Sequence, residues 1–366
     1  MRRVLHLIKG LGRGGAELLL LSAAPYLDRS RFEYEVAYLL PWKDALVEEL
    51  QEAGLPVHCL DGARGPAWIG RLRGLVRSRS FDLVHSHSPM VAVGARLGLH
   101  RKTPRVYTEH NVWECYHPVT YWANLLTFWR SSHVFAVSEH VRASIRYPAP
   151  FRFLPMPPVE ALYHGLDPEA VRKWASSDGV REELGIPEGV PVVGTVANFR
   201  AEKGHEQLLR AAVHVRRSIP DVRFVLVGQG PLEEEIRQLT RRLGLDGTVV
   251  FAGHRKDAPR LAGAFDIFAL SSVHEGLAIA LIEAMTLGKP SVVTETGGLP
   301  EVVEHGKHGL VIPPGDPKAF AEGLVTLLSD RALRERFGEA ARDRAADFDI
   351  RKAVRRVEHV YKELLA

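Results

Sequence analysis

The chain has 366 residues, 46% of them hydrophobic and 25% charged, and exceeds the roughly 250–300 residues at which a single core stops growing, so two domains are expected. Cys59 and Cys115 are its two cysteines, which excludes a disulfide framework and a cysteine-ligated metal centre and fits a reducing cytoplasm. The net charge of +4 sits in the first half, with 22 Lys and Arg against 17 Asp and Glu in residues 1–180 and 26 against 27 in residues 181–366; a solvated helix face, or contact with an anionic membrane or anionic acceptor, accounts for such an excess.

The opening "MRRVLHLIKG" joins two arginines to an apolar run. Lys9, Arg13 and Glu17 interrupt it and no small-residue cleavage site follows, so it reads as a strand rather than a leader. No apolar run reaches the roughly 20 residues that span a bilayer. Gly10, Gly12, Gly14 and Gly15 come next, before a helical segment, and Gly10, Gly12 and Gly15 satisfy G-x-G-x-x-G. A dinucleotide site also needs an acidic residue at the C-terminal end of the second strand. That strand, residues 33–40, ends in "LLPW", with Glu33 and Glu35 at its beginning. The fingerprint is incomplete and a nicotinamide is not expected; Gly14 and Gly15 instead let a ligand approach the backbone at a helix start.

Further strands in the first half are "EYEVAYLL", "PVHCL", "DLVHSH", "RVYTEH" and "VFAVSE". The basic run "RLRGLVRSRS" (71–80) lies among them, and the aromatic-rich "YWANLLTFW" (121–129) is read as core packing ahead of membrane contact. The pattern weakens over residues 155–190, where prolines and glycines mark an inter-domain connection. It resumes with "VPVVGTVANF", "VRFVLVG", "TVVFAG", "DIFALSS", "PSVVTE" and "HGLVIP". Strands alternating with helical stretches signify parallel sheets wound by crossover helices. The expected fold is α/β, two Rossmann-like domains facing across a cleft, residues 1–165 and 185–348, with ligands at the C-terminal edges of the strands.

The stretch "SSVHEGLAIALIEAMTLGKPSVVTETGGLPEVV" (271–303) carries the chemistry. Glu275 is read as ending a strand, and a helix is predicted from about Ala278 to Leu287. Its first turn is apolar, so nothing competes for the amides of Leu277, Ala278 and Ile279, which with the helix dipole form an anion site. A diphosphate there brings a ribose within reach of Glu283, whose carboxylate accepts from two hydroxyls, and leaves Glu275 facing a sugar.

Glu275-x7-Glu283 followed by "AMTLGKPSVVTETGGLPEVV" resembles the signature of the retaining glycosyltransferases of family 4, which have the GT-B fold. The resemblance spans nearly the whole chain: "GGAE" (14–17), "DLVHSH" (82–87), "TEHN" (108–111), "VANFRAEKG" (196–204), "FVLVGQGP" (224–231), "FAGHRKD" (251–257) and "GLVIPPGDP" (309–317) stand in the family's order. It implies that Lys203 grips the donor diphosphate. Asn198 holds a position where the family often has an arginine, and Arg200 supplies that charge instead. It further implies that Glu283 holds the ribose and Glu275 the donor sugar, with the amides of Gly276, Leu277, Ala278 and Ile279 around the phosphates. His254 and Arg255 fall where the nucleobase is held, and Gly297 and Gly298 allow close backbone approach. His110 falls near the donor sugar, Gly14 and Gly15 opposite the donor phosphates, and Glu17, His87 and Asn111 on the acceptor side. The final helix, residues 349–366, is expected to cross back onto the first domain. The family's Asn-Gly linker is replaced by "FLPMPPVE" (153–160).

The reaction implied is transfer of a hexosyl group from a nucleoside-diphosphate sugar, UDP-sugar first and GDP-sugar next, to an acceptor hydroxyl with retained configuration. The saccharide or lipid-linked acceptor belongs to cell-envelope polysaccharide or glycolipid synthesis. The expected setting is cytoplasmic, with peripheral contact at the inner face of the membrane and no nucleic-acid partner. No cofactor or metal is expected, because the single Asp-x-Asp, "DFD" (347–349), lies between helices rather than after a strand. Two other readings stay open: a nucleotide-sugar epimerase of the same architecture, and a catalytically silent sugar-nucleotide-binding protein.

Overall fold

A computed structural model describes residues 1–62, 65–173, 176 and 178–366. The chain divides into two compact units, Met1–Gly165 with Ile350–Ala366, and Leu166–Asp349.

In the first unit, β1 (Arg2–Ile8), β2 (Phe32–Tyr38), β3 (Val57–Cys59), β4 (Leu83–Ser86), β5 (Arg105–Glu109), β6 (His133–Ala136) and β7 (Val159–Ala161) form a parallel sheet in the order β3-β2-β1-β4-β5-β6-β7. In the second, β8 (Val192–Val196), β9 (Arg223–Val227), β10 (Val249–Gly253), β11 (Ile267–Leu270), β12 (Ser291–Thr294) and β13 (Gly309–Ile312) run in the order β10-β9-β8-β11-β12-β13. Both sheets carry helices, so their strands are β-branched and apolar rather than alternating: Val192, Val193, Phe224, Val225, Leu226, Ile267 and Phe268 are all buried. The strand order reverses at β1 in one unit and at β8 in the other, and crevices for ligands open at such reversals. The glycine loop follows β1, and the Asn198–Lys203 loop follows β8.

Three expectations need correction. Residues 155–190 are not a loose connection: Val159–Ala161 is an edge strand, paired through Val134 N–H donating to Pro158 O at 2.9 Å. Helices Pro168–Lys173 and Val180–Glu183 belong to the second unit, whose boundary lies at 166 rather than 185. Residues 174, 175 and 177 of that stretch lie outside the described residues. Finally, "YWANLLTFW" is core on one side only, since Asn124, Leu125, Thr127 and Phe128 are buried while Trp122 and Leu126 are exposed.

Helix Ile350–Leu365 belongs to the first unit because its apolar stripe has a place in that core, where Val360 and Tyr361 are each 1% exposed. Its polar residues fix the register. Glu358 accepts from Tyr34 Oη and Asp28 N–H, both at 2.7 Å, and Arg356 forks onto Glu160 of β7 at 2.8 and 2.6 Å.

Candidate functional site

In the second unit three loops leave the C-terminal ends of β8, β11 and β12 and are tied to one another. Gly204 turns the first loop at φ +63°, and a Cβ there would stand 2.0 Å from Ser271 O, so only glycine fits. Ser271 Oγ donates to Gly204 O at 2.8 Å. Gly297, at φ +55°, presses the third loop on the second: a Cβ would fall 1.7 Å from Glu275 O. The close approach read from Gly297-Gly298 is therefore to the backbone of Glu275, to whose carbonyl Gly298 N–H also donates at 3.3 Å.

Glu275 does not end a strand. β11 stops at Leu270, because pairing to β8 and β12 reaches no further, and Ser271 and Ser272 spend their hydroxyls on loop contacts. Lys203 Nζ donates to Glu275 Oε2 at 2.7 Å, and Ser272 Oγ donates to the same oxygen at 3.1 Å. Ser272 was not singled out from the sequence, although its place three residues before the acid is the spacing of a short hydroxyl-to-carboxylate contact. Lys203, assigned to the diphosphate, and Glu275, assigned to the sugar, thus stand side by side, with 23% and 8% of their side chains exposed.

Beyond Glu275, helix Ile279–Thr286 starts without a side-chain cap. Among the described residues the amides of Gly276, Leu277, Ala278, Ile279 and Ala280 donate to no protein acceptor, and the positive end of the helix dipole adds to them. Glu283 is the fifth residue of this helix. Its carboxyl makes no hydrogen bond with the described residues, and burial alone lifts it from 4.5 to about 7. An acid raised by burial contributes stability below its unfolded value that is lost as pH rises through about 7. An ionised Glu283 then costs up to about 3 kcal/mol. Glu283→Gln is accordingly expected to raise Tm near pH 8 and leave it unchanged near pH 4; an equal rise at both, seen in parallel melting curves, would show that ionisation is not the cause.

The remaining donor-side residues are less uniform. Asn198 and Arg200 are exposed, Arg200 lying 3.9 Å from Glu202. His254 is exposed after β10. Arg255 is engaged by its neighbours: its guanidinium forks onto Asp257 at 2.8 Å twice and reaches Glu183 at 2.5 Å, tying helix Val180–Glu183 to the β10 loop. The Asp347 carboxylate of "DFD" accepts from Arg344 at 2.8 Å.

In the first unit Gly14 caps helix Gly15–Ala23, with the Glu17 carboxylate folded over it; Gly15 faces open space. Asn111 is exposed beyond β5, its N–H donating to Glu109 at 3.3 Å. His87, expected on the acceptor side, is only 7% exposed. It belongs to a row of buried imidazoles that the parallel register assembles, since His6 of β1 stands opposite His85 of β4. His6 Nδ1 and His87 Nε2 share a hydrogen bond at 2.9 Å, and His85 reaches Tyr361 Oη at 2.5 Å and Thr108 Oγ1 at 2.7 Å. His110 continues the row, its ring 6.0 Å from His87 and 6.1 Å from His164, and its Nε2 is buried without a partner. Nitrogens of His6, His85 and His87 lie within 4.8 Å of one another, a spacing that suits a metal ion, but each ring is already hydrogen-bonded. Burial drops His6 to about 4 and His110 to about 3 from 6.5, so both are neutral near pH 7. His110 therefore offers a ring N–H or a lone pair and not a cation.

Two family models divide the chain between them: one described as "Glycosyltransferase Family 4" matches residues 2–170, and one described as "Glycosyl transferases group 1" matches residues 176–344. The N-acetyl-alpha-D-glucosaminyl L-malate synthase of Bacillus anthracis is 30% identical over 208 residues, 57% of this chain and 54% of that protein. The alpha-D-kanosaminyltransferase of Streptomyces kanamyceticus is 29% identical over 257 residues, 68% of this chain and 64% of that protein. Anabaena HepE, whose crystal structure is in complex with UDP-glucose, superposes with a TM-score of 0.86 at 25% identity, covering 99% of this chain and all of that one.

Proposed function

Because the chain belongs to glycosyltransferase family 4, we propose that it moves a hexosyl group from UDP-sugar to the hydroxyl of a saccharide or lipid-linked acceptor, retaining the anomeric configuration. The observation that carries the reading is the set of open amides at Gly276–Ala280, flanked by the Lys203–Glu275 pair and by the partnerless carboxyl of Glu283. The amides and Lys203 take the diphosphate, Arg200 adds charge at its rim, Glu283 accepts from the ribose hydroxyls and Glu275 from those of the sugar. UDP-glucose in the HepE crystal structure favours uridine over guanosine.

In the transfer the bond from the anomeric carbon to the leaving phosphate oxygen breaks. The acceptor oxygen bonds to that carbon from the same face, and its proton passes to the leaving oxygen. Charge then grows on the diphosphate, where Lys203 and fixed amides stabilise it more than they stabilise the bound donor. In the first unit His110, neutral, offers a hydrogen-bonding group, and Glu17 and Asn111 are the groups proposed for the acceptor. No step calls on a metal or cofactor. The proposed setting is the cytoplasm, at the inner face of the membrane, in envelope polysaccharide or glycolipid synthesis.

A thermal-shift panel of UDP, GDP, ADP, their sugars and NAD on wild type and Glu283→Ala tests this. Saturation at about 100 times Kd adds roughly 2.7 kcal/mol, so UDP is expected to raise Tm in wild type and not in the variant. A response to NAD alone would overturn the reading. Product analysis without an acceptor, with and without EDTA, separates transfer from epimerisation: a changed donor sugar, or activity lost to EDTA, counts against the proposal.

A further inference from the structure

Helix Pro118–Phe128 in the first unit presents apolar residues on both of its faces. The inner face supplies Leu125 and Phe128 to the core, each fully buried. The outer face, where a solvated helix carries charge, carries Val119, Trp122 and Leu126 instead, 71%, 44% and 49% exposed. Spacings of three and four put these three in one line along the helix. The line continues onto the segment after helix Glu139–Ser144: the rings of Trp122 and Phe151 are 5.6 Å apart, and Phe153 and Met156 beyond it are 78% and 45% exposed. Isolated exposed apolar residues are ordinary, but a contiguous patch with two aromatic rings in contact marks a binding surface.

The charge around the patch selects its partner. Residues 113–156 hold four arginines, Arg130, Arg142, Arg146 and Arg152, and two acids, Glu114, whose charge reaches Tyr121 of the helix, and Glu139, which is spent on Arg142 at 2.6 Å. Arg130 lies 5.8 Å over the Trp129 ring at the end of the helix, and exposed Arg152 sits between the two phenylalanines. Apolar and indole side chains rimmed by arginine are the composition of a surface that lies in the headgroup layer of an anionic bilayer. No helix of the described residues is long and apolar enough to cross a membrane, so contact of this kind is interfacial.

We propose that the face formed by Val119, Trp122, Leu126, Phe151, Phe153 and Met156, with Arg130 and Arg152 at its edge, docks on anionic phospholipid. The helix starts eight residues after His110, close along the chain to the C-terminal edge of β5, so docking brings the acceptor side of the first unit to the lipid surface. That consequence rests on the transferase reading; the docking itself does not.

Co-sedimentation with phosphatidylcholine vesicles, with and without phosphatidylglycerol, tests it on the full chain. Wild type is expected to sediment with the anionic vesicles only, with Trp fluorescence shifted to the blue. The double variant Trp122→Ser/Leu126→Ser is expected to bind at least about tenfold more weakly, and Arg130→Gln/Arg152→Gln to lose the preference for anionic lipid. These substitutions are on the surface, and an unchanged UDP-induced thermal shift checks that each variant is folded. Wild type staying in the supernatant, the serine variant binding as well as wild type, or a wild-type dimer that the serine variant abolishes in place of vesicle binding would each overturn the proposal. A UDP shift without vesicle binding would sink the docking surface and spare the donor site; the reverse pattern would do the opposite.

Discussion

Lys203→Ala is expected to lower kcat/KM for sugar transfer by roughly 10²–10³, the range found when one donor to a developing oxyanion is removed. The loss has two separable parts. The ammonium stands 2.7 Å from the Glu275 carboxylate, which is 8% exposed. Truncating the lysine strands that carboxylate with only the Ser272 hydroxyl, at 3.1 Å, and removing one partner of a buried pair costs about 3–5 kcal/mol where burial is complete; partial exposure of Lys203 puts the cost here at or below that range. The other part is chemical, the charge no longer supplied to the leaving diphosphate. Adding Glu275→Gln to Lys203→Ala removes the stranded charge, so Tm is expected to recover while kcat/KM does not. If activity returned with stability, Lys203 would be a structural partner of Glu275 and no more. If kcat/KM of the single variant stayed within about tenfold of wild type, a barrier change of only about 1.4 kcal/mol, the diphosphate would have to be held by the amides and Arg200 alone.

How far the sequence spoke for this site depended on which residues are constrained locally. The strands were legible because buried parallel strands leave runs such as "RFVLV" and "IFAL"; the two switch points were not, because they depend on the spatial order of the strands. Helix Ile279–Thr286 and its bare first turn were legible because an apolar start without Ser, Thr, Asn or Asp at the cap is visible in the letters. Strand β7 was not: three residues after two prolines carry no periodicity, and only pairing with β6 makes them a strand. Nor did the letters give the true place of Glu275, because where β11 stops is decided by the pairing of its neighbours. The surroundings of Arg255 and His87 were hidden for a further reason. Each has a motif position suited to a ligand, but Asp257 and Glu183 claim the guanidinium and a buried row claims the imidazole, and those partners come from 2 to 81 residues away. The outward face of helix Pro118–Phe128 was legible as apolar and not as exposed, since a helix that is apolar all round reads as core until its neighbours are known.

The row of histidines leads to the second large effect: acidification to about pH 4.5 is expected to open the first unit while the second stays folded. Burial drops His6 to about 4 and His110 to about 3, and it also lowers His85 and His87 well below 6.5, aided by the neighbouring imidazoles. His164 is lowered by the same burial. For a base held neutral in the fold, stability is intact above 6.5 and is lost as pH falls towards the folded value, because the unfolded chain takes up protons that the folded one refuses. At pH 4.5 His6 and His110 together remove about 5 kcal/mol, already the lower bound of a typical domain's net stability, and His85 and His87 act in the same direction. Glu109, raised by burial, offsets part of this. Among its described residues the second unit has no such row. Its His205, lowered to about 4, is countered by Glu283, raised to about 7, whose protonated form gains stability as pH falls. Hydrogen exchange read unit by unit distinguishes the two. At pH 4.5 the amides of β1, β4 and β5 are expected to lose protection while those of β8, β9 and β11 keep it. Helix Ile350–Leu365 is expected to open with the first set, since Tyr361 is hydrogen-bonded to His85. Protection retained throughout the first sheet would mean that the imidazoles titrate near 6.5, and that water reaches the row.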